Sequence, residues 1–330
     1  MVIDIHTHVV PKRFPPMQDR PGGLRWPQMV PAEGGKAHVM ILGKIYRTVT
    51  EQSWNPYRRV EEMDREGVEK QVLSVMPELL NYWAEPADSV AFCRYLNETI
   101  ANMVIHFPDR FIGLGTVPLQ DPELASKELE RVKKDYKLAG IEIGTHVRGR
   151  PIGDPIFHDF FENAAKLDLV IFVHPLHPIG EERIVGPTIL NNLIGFPSET
   201  AFSVASLITG LVLEKFPNLK ICFSHGGGTF GLILPRLIHG WHTIPGLHDE
   251  LPHSPEYYAK KLYFDTLVYD ERVLRFLLKI FSLDQFLVGS DYPFLIRETP
   301  PGNILSTMAE LSENQRNAFC RENALRFFGI

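Results

Sequence analysis

Short runs of β-branched and aromatic residues recur along the chain, separated by longer stretches in which apolar residues return at helical spacing. The runs predict strands over 2–8, 72–76, 111–117, 140–145, 169–173, 219–223, 261–265 and 286–289. Asn55-Pro56, Asp121-Pro122 and Asp154-Pro155 each set a capping side chain before a proline suited to a first helical turn. They open predicted helices, the first closing at Gly67 and the second near Tyr136. Further helices are expected over about 87–106, from Ser198 to about 214, and after Ser312. The strands are near-continuous apolar runs, the mark of segments buried on both faces. Eight such strands alternating with helices predict an α/β chain folded as a (β/α)8 TIM barrel, with active-site residues at the C-terminal strand ends.

One stretch interrupts the alternation. Residues 11–36 are rich in proline and glycine, including Pro15-Pro16 and Pro21-Gly22-Gly23, and read as loop. Short strands over 38–42 and 44–49 then form a hairpin about a turn at Gly43. The inserted β-hairpin region, residues 11–50, is too small to own a core. The expectation is therefore a single barrel domain over residues 1–330 with this insertion after its first strand.

Composition narrows the function. The 330 residues are 44% apolar and 22% charged, as in a soluble globular protein, with a net charge of −6 and no basic run that would suit nucleic acid. Cys93, Cys222 and Cys320 are far apart, forming neither a disulfide framework nor a cysteine metal motif, and suit a reducing cytoplasm. No apolar run is long enough to span a membrane, and the first residues lack a signal-peptide layout.

Chemistry concentrates at predicted strand ends. His6 and His8 lie two residues apart on one strand and so project from the same face, offering imidazole donors to a divalent metal. His174 ends strand five, His225 ends strand six, and Asp291 follows strand eight. Each has a plain alternative: a loop histidine before Pro175, a turn-capping aspartate, a histidine tolerated before Gly226-Gly227-Gly228. Their coincidence at one barrel mouth points instead to a metal site. Three imidazoles and a carboxylate suit Zn²⁺, and Mn²⁺, Co²⁺ or Fe²⁺ also fit such a set. His225 is read as a general acid/base beside the metal rather than a further ligand.

His6-Thr-His8, His174-Pro175, His225-Gly-Gly-Gly228 and Ser290-Asp-Tyr-Pro-Phe294 together resemble the amidohydrolase superfamily, and more narrowly its branch of 2-amino-3-carboxymuconate-6-semialdehyde decarboxylases. The resemblance spans essentially the whole chain. It implies one zinc ion on His6, His8, His174 and Asp291, with His225 as acid/base, and non-oxidative decarboxylation of a small conjugated or aromatic carboxylic acid; water, His225 and Asp291 are the three candidates to carry the proton to carbon. It also implies two arginines on substrate carboxylates: Arg47 in the inserted hairpin and Arg236 in the helix after the glycines, the latter reaching a neighbouring active site in a homodimer. A salt bridge on the surface is the alternative for each. Phe294, in the last motif, joins them as a substrate contact.

Two departures qualify the likeness. Leu176-His177-Pro178 replaces the family's Trp-Asp after the strand-five His-Pro, so His177 is a candidate substrate contact at the pocket rim, with a solvent-exposed loop histidine as the alternative. Gly186-Pro187 stands where tryptophans are expected. A lactone or amide hydrolase therefore remains the second reading, and a non-catalytic metal-binding barrel the third. Glu142 lies on strand four, where other amidohydrolases place a bridging ligand, but its neighbours Ile141 and Ile143 point the other way and Gly144-Thr145 still follow before the strand ends. It reads as structural, and the metal site as mononuclear.

Overall fold

The computed structural model describes residues 1–330. Its main sheet holds eight parallel strands in chain order: β1 (Val2–Val9), β2 (Val68–Val75), β3 (Phe111–Gly115), β4 (Gly140–Gly144), β5 (Val170–His174), β6 (Ile221–Phe223), β7 (Tyr263–Asp265) and β8 (Phe286–Leu287). The ends of the sheet meet. Ile5 donates its amide to Val288 at 2.8 Å, Asp291 donates to His6 at 2.9 Å, and Thr7 bridges to Tyr292 in parallel. The result is a (β/α)8 barrel.

Alternation along each strand sorts the core into two layers. Ile5, Val72, Leu114, Phe172, Cys222 and Leu287 fill the barrel interior, while a larger cluster packs the outer strand faces against the helices. The helix over Pro56–Glu66 begins where the Asn55 side chain accepts from the Tyr57 amide at 3.1 Å, and Gly67 ends it in a left-handed conformation. Asp121 caps the helix Pro122–Lys134 in the same way, accepting from Leu124 at 3.0 Å.

The insertion differs from a hairpin. Lys44–Val49 and Ala37–Ile41 pair antiparallel about Leu42-Gly43, both at positive φ, but Gln28–Pro31 adds a third strand. Pro31 is tolerated because it ends an edge strand, which is why the proline-rich stretch hid this element. A second small ribbon, His146–Val147 with Arg150–Pro151, follows β4. The helix expected from 198 to 214 is two: Phe196–Thr209 and Val212–Lys215, divided at Leu211, whose φ is 60°. The segment opening at Asp154 starts as a 3₁₀ turn before the helix His158–Lys166. Helix Glu271–Ile280, between β7 and β8, completes the alternation.

Candidate metal centre

The end of β1 is drawn across the mouth of the barrel. His6 and His8 bring their Nε2 atoms to 3.1 Å of each other, and Asp291 Oδ1 lies 3.0 Å from His8 and 3.7 Å from His6. His174, at the end of β5, sets its ring 5.2 Å from each. One donor atom from each of His6, His8, His174 and Asp291 lies within 4.8 Å of the others, and all four residues are buried. Gly289 makes room for this: a Cβ there would stand 2.8 Å from the His6 Cβ.

The far side of each imidazole is held by an acceptor. His6 Nδ1 lies 2.7 Å from Asp265 Oδ2, His8 Nδ1 lies 3.0 Å from the Val75 carbonyl, and His174 Nδ1 lies 2.8 Å from the Pro175 carbonyl. Carbonyls only accept, so Nδ1 carries the proton and Nε2 presents a lone pair. Three such lone pairs and a carboxylate oxygen face one point, a set that repels itself without a cation and fits a divalent metal.

The electrostatics favour ligation. Burial alone would raise Asp291, but contact with His8 and the surrounding imidazoles holds it at about 2. Burial keeps His8 and His174 below the ordinary histidine value, in His174 with help from neighbouring imidazoles. In His6 burial is outweighed by the hydrogen bond and charge of Asp265, so its affinity for protons rises. Asp265 itself stays below the carboxylate range because the His6 bond overcomes its burial.

His225 stands beside the cluster. Its ring lies 5.3 Å from His6 and 5.2 Å from His174, and Nδ1 is 3.1 Å from the Ser224 hydroxyl. Burial, then the charge of His6, lowers it to about 4. His225 has φ of 54° and Asp291 69°, conformations that non-glycine residues adopt only when their surroundings impose them. The glycines after His225 turn tightly against the helix Phe196–Thr209; a Cβ at Gly228 would sit 2.0 Å from the Pro197 carbonyl.

The remaining candidates divide. Arg47 lies 3.9 Å over the Phe294 ring, and that ring stacks on His8 at 4.9 Å, so the insertion places a guanidinium two layers from the metal ligands. His177 is exposed at φ 43°; its carbonyl accepts from His146 Nε2 at 2.9 Å, and its side chain has no hydrogen bond. Arg236 is exposed on the helix Phe230–Thr243, without an ion pair. Exposed Leu232 and Ile233 precede it on the same helix.

Three supports were not evident in the sequence. Asp265 ends β7 as the ligands end their own strands, and that position was the available signal. Asp4 holds the Ser290 hydroxyl at 2.5 Å, tying the first strand to the segment that carries Asp291. Arg59 is wholly buried and donates to Thr7 Oγ1 at 3.2 Å and to the His8 carbonyl, bracing the strand between the two histidines. Its partners are backbone and neutral groups, and burial lowers its pKa to about 10.

The sequence signature of the amidohydrolase family matches residues 3–330. A 2-amino-3-carboxymuconate-6-semialdehyde decarboxylase of Dictyostelium discoideum is 38% identical over 329 residues, covering 99% of this chain and 91% of the relative. The apo crystal structure of IDCase from Metarhizium anisopliae superposes with a TM-score of 0.83 at 20% identity, covering 100% of this chain and 97% of that one. A dihydroxybenzoic acid decarboxylase from Polaromonas sp. JS666, solved with manganese and 2-nitroresorcinol, superposes with a TM-score of 0.74 at 21% identity, covering 99% and 96%.

Proposed function

The chain belongs to the amidohydrolase family, and from that premise we propose that it is a metal-dependent, non-oxidative decarboxylase of a small conjugated or aromatic carboxylic acid. The observation that carries the proposal is the convergence of three Nδ1-anchored imidazoles and Asp291 on one point, with His225 beside them. The similarity to the Dictyostelium decarboxylase over nearly the whole chain supports the reaction class.

His6, His8, His174 and Asp291 would hold the ion, with zinc as our first choice and manganese, the ion in the Polaromonas structure, next. The ion supplies Lewis acidity that stabilises negative charge developing on a substrate oxygen. Arg47, supported by Phe294, orients the substrate through a carboxylate, for which a planar guanidinium is the natural partner. The bond between carbon and the departing carboxylate breaks, its electron pair stays on carbon, and a proton takes the place of CO₂. His225 is the residue we assign to move that proton: neutral at pH 7, it takes a proton from a water in the site and passes it on toward the carbon. The four candidate ligands are buried, which strengthens the interactions made there.

In the second half of the proposal the protein is a homodimer in which Arg236 of one subunit completes the pocket of the other. The exposure of Arg236 beside Leu232 and Ile233 supports it. We place the enzyme in the cytoplasm on its three free cysteines; no helix is long and apolar enough to cross a membrane.

The test is CO₂ release by metal-loaded and metal-stripped protein over muconate semialdehydes and hydroxy- or aminobenzoates. Metal-dependent CO₂ from any of them is the expected result. Hydrolysis of lactones or amides, with no CO₂ from any acid, would replace the decarboxylase by a hydrolase.

A further inference from the structure

The candidate metal ligands satisfy their neighbours, but one carboxyl side chain inside the barrel has no well-formed partner. Glu142 on β4 pairs in register with Phe172 on β5, so both project inward, and the Phe172 ring lies 5.0 Å from that of His6. Glu142 is 0% exposed, and neither carboxyl oxygen has a well-formed hydrogen bond, Ser74 and the Val75 backbone lending only weak support. Elsewhere in the interior Asp4, Asp265 and Gln71 are all paired, as buried polar groups ordinarily are.

A second carboxylate lies beside it. Tyr82 Oη accepts from the Gly144 amide at 3.0 Å, fastening the turn that follows β2 onto the end of β4. Glu78 sits in that turn. Its Oε1 accepts from the Tyr46 hydroxyl, while Oε2 is enclosed and unpartnered. Tyr46 adjoins Arg47, so this wall borders the guanidinium stacked over Phe294.

Resting on the decarboxylase reading above, we propose that Glu142 and Glu78 receive a hydrogen-bond-donating substituent, an amino or hydroxyl group, on the substrate whose carboxylate Arg47 holds. Burial, then the charge of Glu78, raises Glu142 well above the carboxylate range, so Glu142 favours its protonated form. Even with one proton bound, the wall offers more lone pairs than hydrogens. A group that meets it must bring N–H or O–H; a methyl in its place would leave the carboxyls unpaired.

The test uses the metal-loaded protein and amino-, hydroxy- and methylbenzoates substituted at the same ring position, each position in turn. Binding is followed by calorimetry and CO₂ release in parallel. At one position at least, the amino or hydroxy compound is expected to bind about tenfold or more tightly than the methyl compound. Glu142→Met and Glu78→Gln should each move that ratio toward one. Glu142→Met should also raise Tm, since it removes an unpaired buried carboxyl, whereas loss of a structural contact would lower it. Equal binding of all three classes by the wild type overturns the proposal, as does a preference that survives both substitutions. CO₂ release without donor preference removes this wall and leaves the decarboxylase standing. Donor preference without CO₂ release does the reverse.

Discussion

The Asp265 carboxylate receives the Nδ1 proton of His6 at 2.7 Å, and both side chains are wholly buried. Asp265 also accepts from the amides of Gly226 at 2.8 Å and Leu267 at 3.0 Å, so its position is set by the backbone on both sides of the mouth. A carboxylate so fixed orients the imidazole and strengthens it as a donor.

Asp265→Asn should therefore weaken metal binding by about 10- to 100-fold while leaving the barrel folded. Competition with a chromogenic chelator measures it. Unchanged affinity would mean that the Asp265 contact does not tune the site.

His225→Ala should keep the metal and lose turnover by about 10²- to 10⁴-fold, the usual worth of a general acid/base. Metal content by emission spectroscopy, set against kcat, separates this from a ligand role. Loss of the ion would make His225 a ligand instead.

Arg47→Ala should lower kcat/KM by about 10- to 100-fold, mainly through KM, because a charge-assisted hydrogen bond to substrate is lost. Phe294→Ala should have a smaller effect in the same direction, since it removes the ring under the guanidinium. If the Phe294 variant suffers more than the Arg47 variant, the ring itself holds the substrate.

The acid limb of stability should depend on Glu62. Burial would raise its pKa, but hydrogen bonds from Tyr292 Oη at 2.6 Å and Gln52 Nε2 at 3.2 Å, with the charge of Arg297, lower it on balance. A depressed carboxylate contributes stability above its unfolded value near 4.5, and the contribution disappears as pH falls through the folded value. Glu62→Gln should cost about 1 kcal/mol at pH 7 and little at pH 3. Urea unfolding at both values reads the difference, and an equal cost at both would exclude the ionised form as its source.

Much of this molecule is legible in its sequence because the signals are local. Eight apolar runs announce the barrel strands, and an imidazole or carboxylate at a strand end needs only strand periodicity to be placed at the mouth. His6, His8, His174 and Asp291 do meet there. What escapes is set by contacts between distant residues or by backbone choices with no compositional mark. Asp265 and His6 are 259 positions apart. The edge strand Gln28–Pro31 lies in a stretch whose prolines and glycines argue for loop, and its pairing with Ala37–Ile41 overrides them. The break at Leu211 follows an apolar run that would otherwise continue as helix. Glu142 was placed on the right strand, but the lack of a well-formed hydrogen bond to its carboxyl is visible only once the opposite walls are in place.

The barrel closes by pairing its first strand with the last, and the metal ligands lie on both sides of that seam. During synthesis, His6 and His8 leave the ribosome early and Asp291 late. A nascent chain lacking its last strand has three of the four donors and no Asp4–Ser290 tie to hold them together. The full set of four donors therefore exists only once the chain has closed on itself.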